Sequence, residues 1–265
     1  MRWLRDNLVL LLGLAVLAYT FVPIAVVILM SFNDPDSRLI YSFDGFTLNN
    51  WLNPCEDPQM CEALGRSIQI GLLSTVFATI LGTFAAFALV RHDFHGRSAS
   101  NLLIFMPMAA PEIVLGSSLL ALFVAAGFAG QLGFWTILVA HIMFCLSFVV
   151  VTVRARLAGL DDNLEQAAMD LYATPTQTFW RVTFPLVFPG ILGAALLSFS
   201  LSFDDFIITN LNAGNTTTFP MYVWGVAQRG VPMQVNVVGT VMFMIAIVIV
   251  VGGEVNSRRR SAKLA

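Results

Sequence analysis

The chain reads as an all-α integral membrane protein: six transmembrane helices, with a cytoplasmic helix pair between the fourth and the fifth. Three observations predict this: composition, six apolar runs of bilayer length, and one long amphipathic segment where a short turn would connect two helices. Of 265 residues, 57% are hydrophobic and only 11% charged. The mean hydropathy of +0.79 is more than a soluble domain of this size sustains. A formal net charge of −2 says little by itself. The placement of the charges between the apolar runs says more, and no nucleic-acid partner is expected.

Crossing about 30 Å of hydrocarbon takes roughly 20 apolar residues in a helix. The runs that meet this length lie near 8–30, 67–90, 102–125, 132–153, 186–208 and 235–251. Arg2 and Arg5 precede the first, as they would in a signal peptide. The run is longer than a signal core and has no clear small-residue cleavage site before Ser31, so it is read as a retained span. No strong internal repeat and no low-complexity linker divide the chain, which is expected to form one domain over 1–265 in a membrane.

Orientation follows from the basic residues. With the N-terminus inside, the inner segments carry Arg2, Arg5, Arg91, Arg97, Arg154, Arg156, Arg181, Arg258, Arg259, Arg260 and Lys263, against Arg38, Arg66 and Arg229 outside. The positive-inside rule then puts both termini in the cytoplasm, and the 154–185 loop with them. Cys55 and Cys61 share the first external loop, where an oxidising compartment permits a disulfide; two unpaired thiols are the alternative. That loop is acidic, with Asp34, Asp36, Asp44, Glu56, Asp57 and Glu62. It is suited to attract cations or a basic partner surface, or it is simply solvated. No His accompanies the cysteine pair, and no metal site is expected.

The 165–185 segment, EQAAMDLYATPTQTFWRVTFP, has helical periodicity and splits in two. Asp161, Asp162 and Asn163 are helix-start residues before 164–171. Thr174-Pro175 predicts a break, with Thr174 as cap and Pro175 in the first turn of a second short helix over 176–182. Small side chains at Ala167 and Ala168 allow close helix approach, and Leu164, Leu171, Phe179 and Trp180 offer apolar contacts to a partner groove. An amphipathic helix lying on the inner membrane surface is the competing reading, weakened by Asp161, Asp162 and Asp170 near anionic lipid.

This segment resembles the EAA loop of permease subunits in ABC importers. The register places Gln166-Ala167-Ala168 on Glu-Ala-Ala, Tyr172 on the Gly, and Val182-Thr183-Phe184-Pro185 on the closing aliphatic-x-Leu-Pro. Gln166 replaces the acidic residue, although Glu165 is adjacent, and Tyr172 replaces the Gly that lets the pair turn closely. Elsewhere Pro111 to Gly116, Leu201 to Phe206, Thr218-Phe219-Pro220 and Arg229-Gly230-Val231 are similar to the spermidine/putrescine permeases. The resemblance implies a MetI-like six-helix core, pairing with a second permease, identical or different, a dimeric ATPase and an external solute-binding protein. It also implies that Glu165, Gln166, Ala167, Ala168, Asp170, Tyr172 and Pro185 couple this chain to the ATPase.

No P-loop is present, and Lys263 is the only lysine, so the chain is not itself an ATPase or another enzyme. No cofactor is expected here, and ATP and Mg belong to the partner. Ionisable groups inside the bilayer are candidate sites. Asp204 and Asp205 lie well into the fifth span, toward the outer half of a pathway. Neighbours on a helix diverge by about 100°, so one is expected to line the pathway and the other to cap or pair. Glu112, after Pro111, is expected near the midplane of the third span. For a polyamine cargo, carboxylates would be joined by aromatic faces at Phe203, Phe206, Tyr222 and Trp224. The bland alternatives are structural pairing for the acids and interfacial anchoring for the aromatics.

Rival classes fare worse. An intramembrane serine protease lacks its nucleophile tetrad, and His141 reads as a hydrogen-bonded bundle residue. Aspartyl-protease chemistry wants two carboxylates converging from separate elements. An ATP-independent secondary transporter using intramembrane carboxylates is the stronger rival, but it leaves the cytoplasmic helix pair unexplained. A different small solute for an ABC permease also stays open.

Overall fold

The computed structural model describes residues 7–35, 42–161 and 163–264. Arg2, Arg5, Asp36, Arg38 and Asp162, which entered the sequence argument, lie outside the described residues. The described chain is almost entirely helical. Five helices are long and apolar enough to cross a membrane, and a pair bent by 112° makes a sixth span if counted as one. The chain gathers into two compact units, Met1–Cys61 with Val223–Ala265, and Glu62–Tyr222.

The first unit contains α1 (Leu8–Met30), the short α2 (Asn49–Leu52) and α12 (Met233–Leu264). Helix α1 buries none of its residues, as an apolar helix solvated by lipid tails does not need to. It packs on α12, where Phe21 meets Phe243 edge to face at 6.2 Å. After α1 the chain folds around a fully buried Asn33. Its amide donates to Ser42 O at 2.7 Å, and its Oδ1 accepts from the Asp44 N–H at 2.9 Å. Asn50 closes the knot by donating to Asn33 O at 2.8 Å, while Phe32 stacks between Phe46 and Trp51. The buried amides of Asn33 and Asn50 thus find backbone partners. Cys55 and Cys61 are joined by a disulfide with their Cα atoms 5.5 Å apart.

The second unit is built around α6 (Phe134–Ala158), the most buried of the spans. Its Val149, Val150 and Val153 meet Ala78 and Ala86 of α3 (Pro58–Arg91) and Ala194 of α9 (Phe184–Asp204). The approach is close because α3 presents Gly82, where an added Cβ would lie 2.7 Å from Val149 Cγ1. Between membrane helices small residues of this kind supply the packing that the hydrophobic effect cannot.

Three sequence expectations need correction. The run at 102–125 is two helices, α4 (Arg97–Ala109) and α5 (Glu112–Ala125), because Pro111 drives Ala110 into extended backbone (φ −76°, ψ 138°). Glu112 therefore starts a helix, and its depth cannot be counted along a straight span. The run at 186–208 breaks after Asp204: Asp205 is extended (φ −65°, ψ 125°), and a separate α10 (Ile207–Asn212) follows. The two carboxylates are thus not neighbours on one helix. Finally, α8 (Pro175–Thr178) is not a discrete second helix. It continues through a π turn (Phe179–Thr183) into α9, and Pro185 falls in the first turn of α9, where its missing N–H is tolerated, so it stops nothing.

Candidate functional site

Two places gather the residues singled out by sequence. The first is the 154–185 segment. Asp161 Oδ1 accepts from the Asn163 backbone N–H at 3.0 Å, starting α7 (Asn163–Asp170). The helix ends in a Schellman arrangement: Ala173 N–H donates to Ala168 O at 3.1 Å, and Tyr172 N–H to Met169 O at 2.9 Å. The left-handed residue this closure requires is Tyr172, at φ 63°, alone among the described non-glycine residues. The position at which the motif has Gly thus keeps the backbone of Gly under an aromatic side chain. The break follows at Thr174-Pro175: Thr174 Oγ1 accepts from Gln177 N–H at 3.3 Å, and Gln177 Oε1 accepts from Thr174 N–H at 3.0 Å.

Glu165 clamps the segment. Its Oε1 receives Arg91 Nη2 from the end of α3 and Thr183 Oγ1 from the π turn, both at 2.6 Å. The acid is therefore used, one residue ahead of the motif register, while Gln166, Ala167 and Asp170 remain exposed and Ala168 half-buried. Leu171 (82%) and Tyr172 (96%) stand almost wholly exposed, so the tip of the segment is apolar and uncovered in this chain. Pro185 is exposed as well.

Rings carry this segment into the span. Phe87 of α3 meets Phe179, Phe179 meets Trp180, Trp180 meets Phe184, and Phe184 meets Phe188, with centroids 5.1–5.7 Å apart. From Pro175 to Asp204 the helix runs 30 residues without a stop. At 1.5 Å per residue this is a rod of about 45 Å, ending at the second place.

That place is the break between α9 and α10. Asp204 is exposed and Asp205 buried. Asp205 takes over backbone donors that the break leaves open: Oδ1 accepts from Ile208 N–H at 3.4 Å and Oδ2 from Thr209 N–H at 2.8 Å, and Oδ2 also accepts from the Thr209 hydroxyl at 2.9 Å. His141 of α6 lies beside it, Nε2 to Oδ2 3.4 Å. Phe203 stacks on Phe199 at 5.8 Å and meets Phe219 at 6.3 Å, where α11 (Phe219–Ala227) begins. Phe206 is half-buried. Helix α5 comes against α10 because of Gly116, where a Cβ would lie 2.8 Å from Leu211 Cδ1; Asn212 Nδ2 donates to Gly116 O at 3.2 Å. Glu112, in the first turn of α5, is exposed at the positive end of that helix. Tyr222 is buried within the Glu62–Tyr222 unit. Trp224 belongs to the other unit and is 60% exposed. Sequence reasoning treated His141 as a bundle residue only, since nothing in the local pattern ties it to Asp205, far along the chain.

Residues 78–254 match the family model described as binding-protein-dependent transport system inner membrane component. The chain is 34% identical over 248 residues to the spermidine/putrescine transport system permease protein PotC of Escherichia coli (strain K12), covering 93% of this chain and 92% of that one. It is 36% identical over 240 residues to the putrescine transport system permease protein PotI of the same organism, covering 88% and 84%. Among solved structures, a bacterial ABC transporter involved in import of the acidic polysaccharide alginate aligns with a TM-score of 0.64 at 17% identity, over 97% of this chain and 96% of that one. The MetNI methionine ABC transporter in an inward-facing form aligns at 0.59 and 15%, over 77% and 98%. At such identities the structural likeness speaks for the fold.

Two outcomes follow from the geometry of the 154–185 segment. Glu165→Ala strips a buried hydroxyl, Thr183, and a surface guanidinium, Arg91, of their shared partner and should lower the unfolding free energy by about 1–2 kcal/mol, read as a lower midpoint in detergent. Tyr172→Gly should act in the opposite sense, raising that midpoint by the equivalent of about 0.5–1 kcal/mol as the left-handed strain is released.

Proposed function

This chain belongs to the family of binding-protein-dependent transport system inner membrane components, and on that premise we propose that its cargo is a polyamine, spermidine or putrescine. It is a multi-pass inner membrane permease subunit of an ABC importer and does no catalysis. An ATPase and a solute-binding protein are its partners, which removes the ATP-independent secondary transporter from contention. Relatedness over nearly the whole chain to two permeases named for polyamines carries the choice of cargo.

In this reading both termini face the cytoplasm, a second and different permease completes the pathway, and ATP and Mg sit in a dimeric ATPase. The exposed Leu171 and Tyr172 tip, with Gln166, Ala167 and Asp170 beside it, docks on that ATPase. Glu165 and Pro185 act behind this surface. The clamp at Glu165 and the ring ladder bind the tip to α9, so its displacement moves the rod as one body. The far end of the rod carries Asp204, whose exposed carboxylate offers a partner to an ammonium group shedding water. Phe203 and Phe206 flank it in sequence as ring faces for the methylene chain and its charges. Glu112, at the start of α5, is a second acidic position for the cargo, and Tyr222 and Trp224 are further aromatic candidates.

The deciding measurement is ATP-driven uptake by the chain reconstituted with its co-purifying subunits, using spermidine and putrescine. Asp204→Asn should raise the KM for the cation about tenfold, equivalent to about 1.4 kcal/mol, with the complex intact; unchanged uptake would count against the assignment. Ala167→Glu should release the ATPase during purification, and a variant that retains the whole complex would contradict the docking surface.

A further inference from the structure

Transport as described leaves one buried cluster without a task. His141 is 1% exposed, and both ring nitrogens are engaged. Nδ1 lies 2.6 Å from Ser202 Oγ of α9, and Nε2 lies 2.9 Å from Thr209 Oγ1 of α10. Ser202 is reached in turn by Ser74 Oγ of α3 at 2.8 Å. Four helices, α3, α6, α9 and α10, therefore meet in one hydrogen-bonded chain within the Glu62–Tyr222 unit.

The protons can be assigned. A carboxylate only accepts, so the single hydroxyl proton of Thr209 goes to Asp205 Oδ2. Thr209 Oγ1 must then accept from His141, which puts a proton on Nε2, directed between Thr209 and Asp205. With Nδ1 as acceptor, Ser202 donates to the ring, and the single hydroxyl proton of Ser74 is shared between Ser202 Oγ at 2.8 Å and Gly71 O at 3.1 Å. The donors at His141 Nε2 and Thr209 Oγ1 are directed toward Asp205. The carboxylate is thereby held inside the bundle by His141, by the Thr209 hydroxyl and by the Thr209 backbone N–H. Its neighbour Asp204, last residue of α9, is left exposed.

We propose that His141 is a positioning residue for transport: by fixing Asp205 in the bundle it sets the break between α9 and α10 and leaves Asp204 as the carboxylate presented to the cationic cargo. This rests on the cargo-contact role given to Asp204 above. A bulky apolar residue in place of His141 leaves a buried carboxylate short of a donor and Ser202 short of an acceptor. The break then relaxes, and Asp204 shifts away from the path. A glutamine at this position supplies both a donor and an acceptor and keeps the pattern.

The test uses the whole importer in proteoliposomes, with initial uptake measured against spermidine concentration. His141→Leu should raise KM about tenfold with the maximal rate within about twofold, while His141→Gln stays within about threefold of the unaltered importer. Asp205→Asn combined with His141→Leu should be no worse than His141→Leu alone, the non-additivity expected of residues in one network. Multiplying effects, an unchanged KM in His141→Leu, or a glutamine variant as impaired as the leucine variant would each overturn the positioning role. If the leucine variant does not assemble, Ser202→Ala is read instead: a raised KM supports the role and an unchanged KM overturns it. Asp204→Asn separates the two levels. Normal uptake by that variant removes the cargo contact itself, whereas impaired uptake there with a silent His141→Leu removes only the part given to His141.

Discussion

A helix that crosses hydrocarbon can be interrupted only where other groups take over the hydrogen bonds it abandons. This constraint governs the break after Asp204. The backbone leaves α9, and the donors at the start of α10 are met by the carboxylate of Asp205. Asp205 is in turn met by His141 and Thr209. With those partners in place the fifth span can stop short, expose one carboxylate and bury the next. Without them the same run of residues would favour an unbroken helix, with both acids on its surface.

Helix α6 supplies much of this support. It is the most deeply buried span, and it delivers His141 to the break and a valine face to Ala78, Ala86 and Ala194. Because α3 and α9 lean on the same helix, the carboxylate geometry depends on packing far from it. Continuity of the 30-residue rod from Pro175 to Asp204 connects that geometry to the 154–185 segment. The π turn at Phe179–Thr183 lies within the rod, braced by stacked rings and by Thr183 on Glu165. The rod so braced spans about 45 Å from the 154–185 segment to the break after Asp204.

The departures from the EAA pattern acquire a physical meaning. Glu165, one residue ahead of the register, ties the ends of three elements together, so the exposed Gln166 need not be acidic. Tyr172 adopts the left-handed backbone that the turn demands, at a steric cost glycine would avoid. Its ring is left fully exposed at the tip.

Much of this was legible in the sequence. Apolar runs of bilayer length located most of the long helices, α1 to the residue, because hydropathy and length are local properties. The cap and proline at Thr174-Pro175 located the break in the 154–185 segment, because capping chemistry lies within four residues. Pro111 does not by itself announce a break, since Pro107 and Pro189 sit inside helices without ending them. Only the tertiary structure decided which prolines interrupt, that α8 runs on into α9, and that Asp204 and Asp205 part company. Those outcomes depend on partners such as Ser74, 128 residues from Ser202, and His141, 68 residues from Thr209. A hydropathy window averages over direction and reaches no further than its own length, so it cannot say which side chain a distant helix will hold.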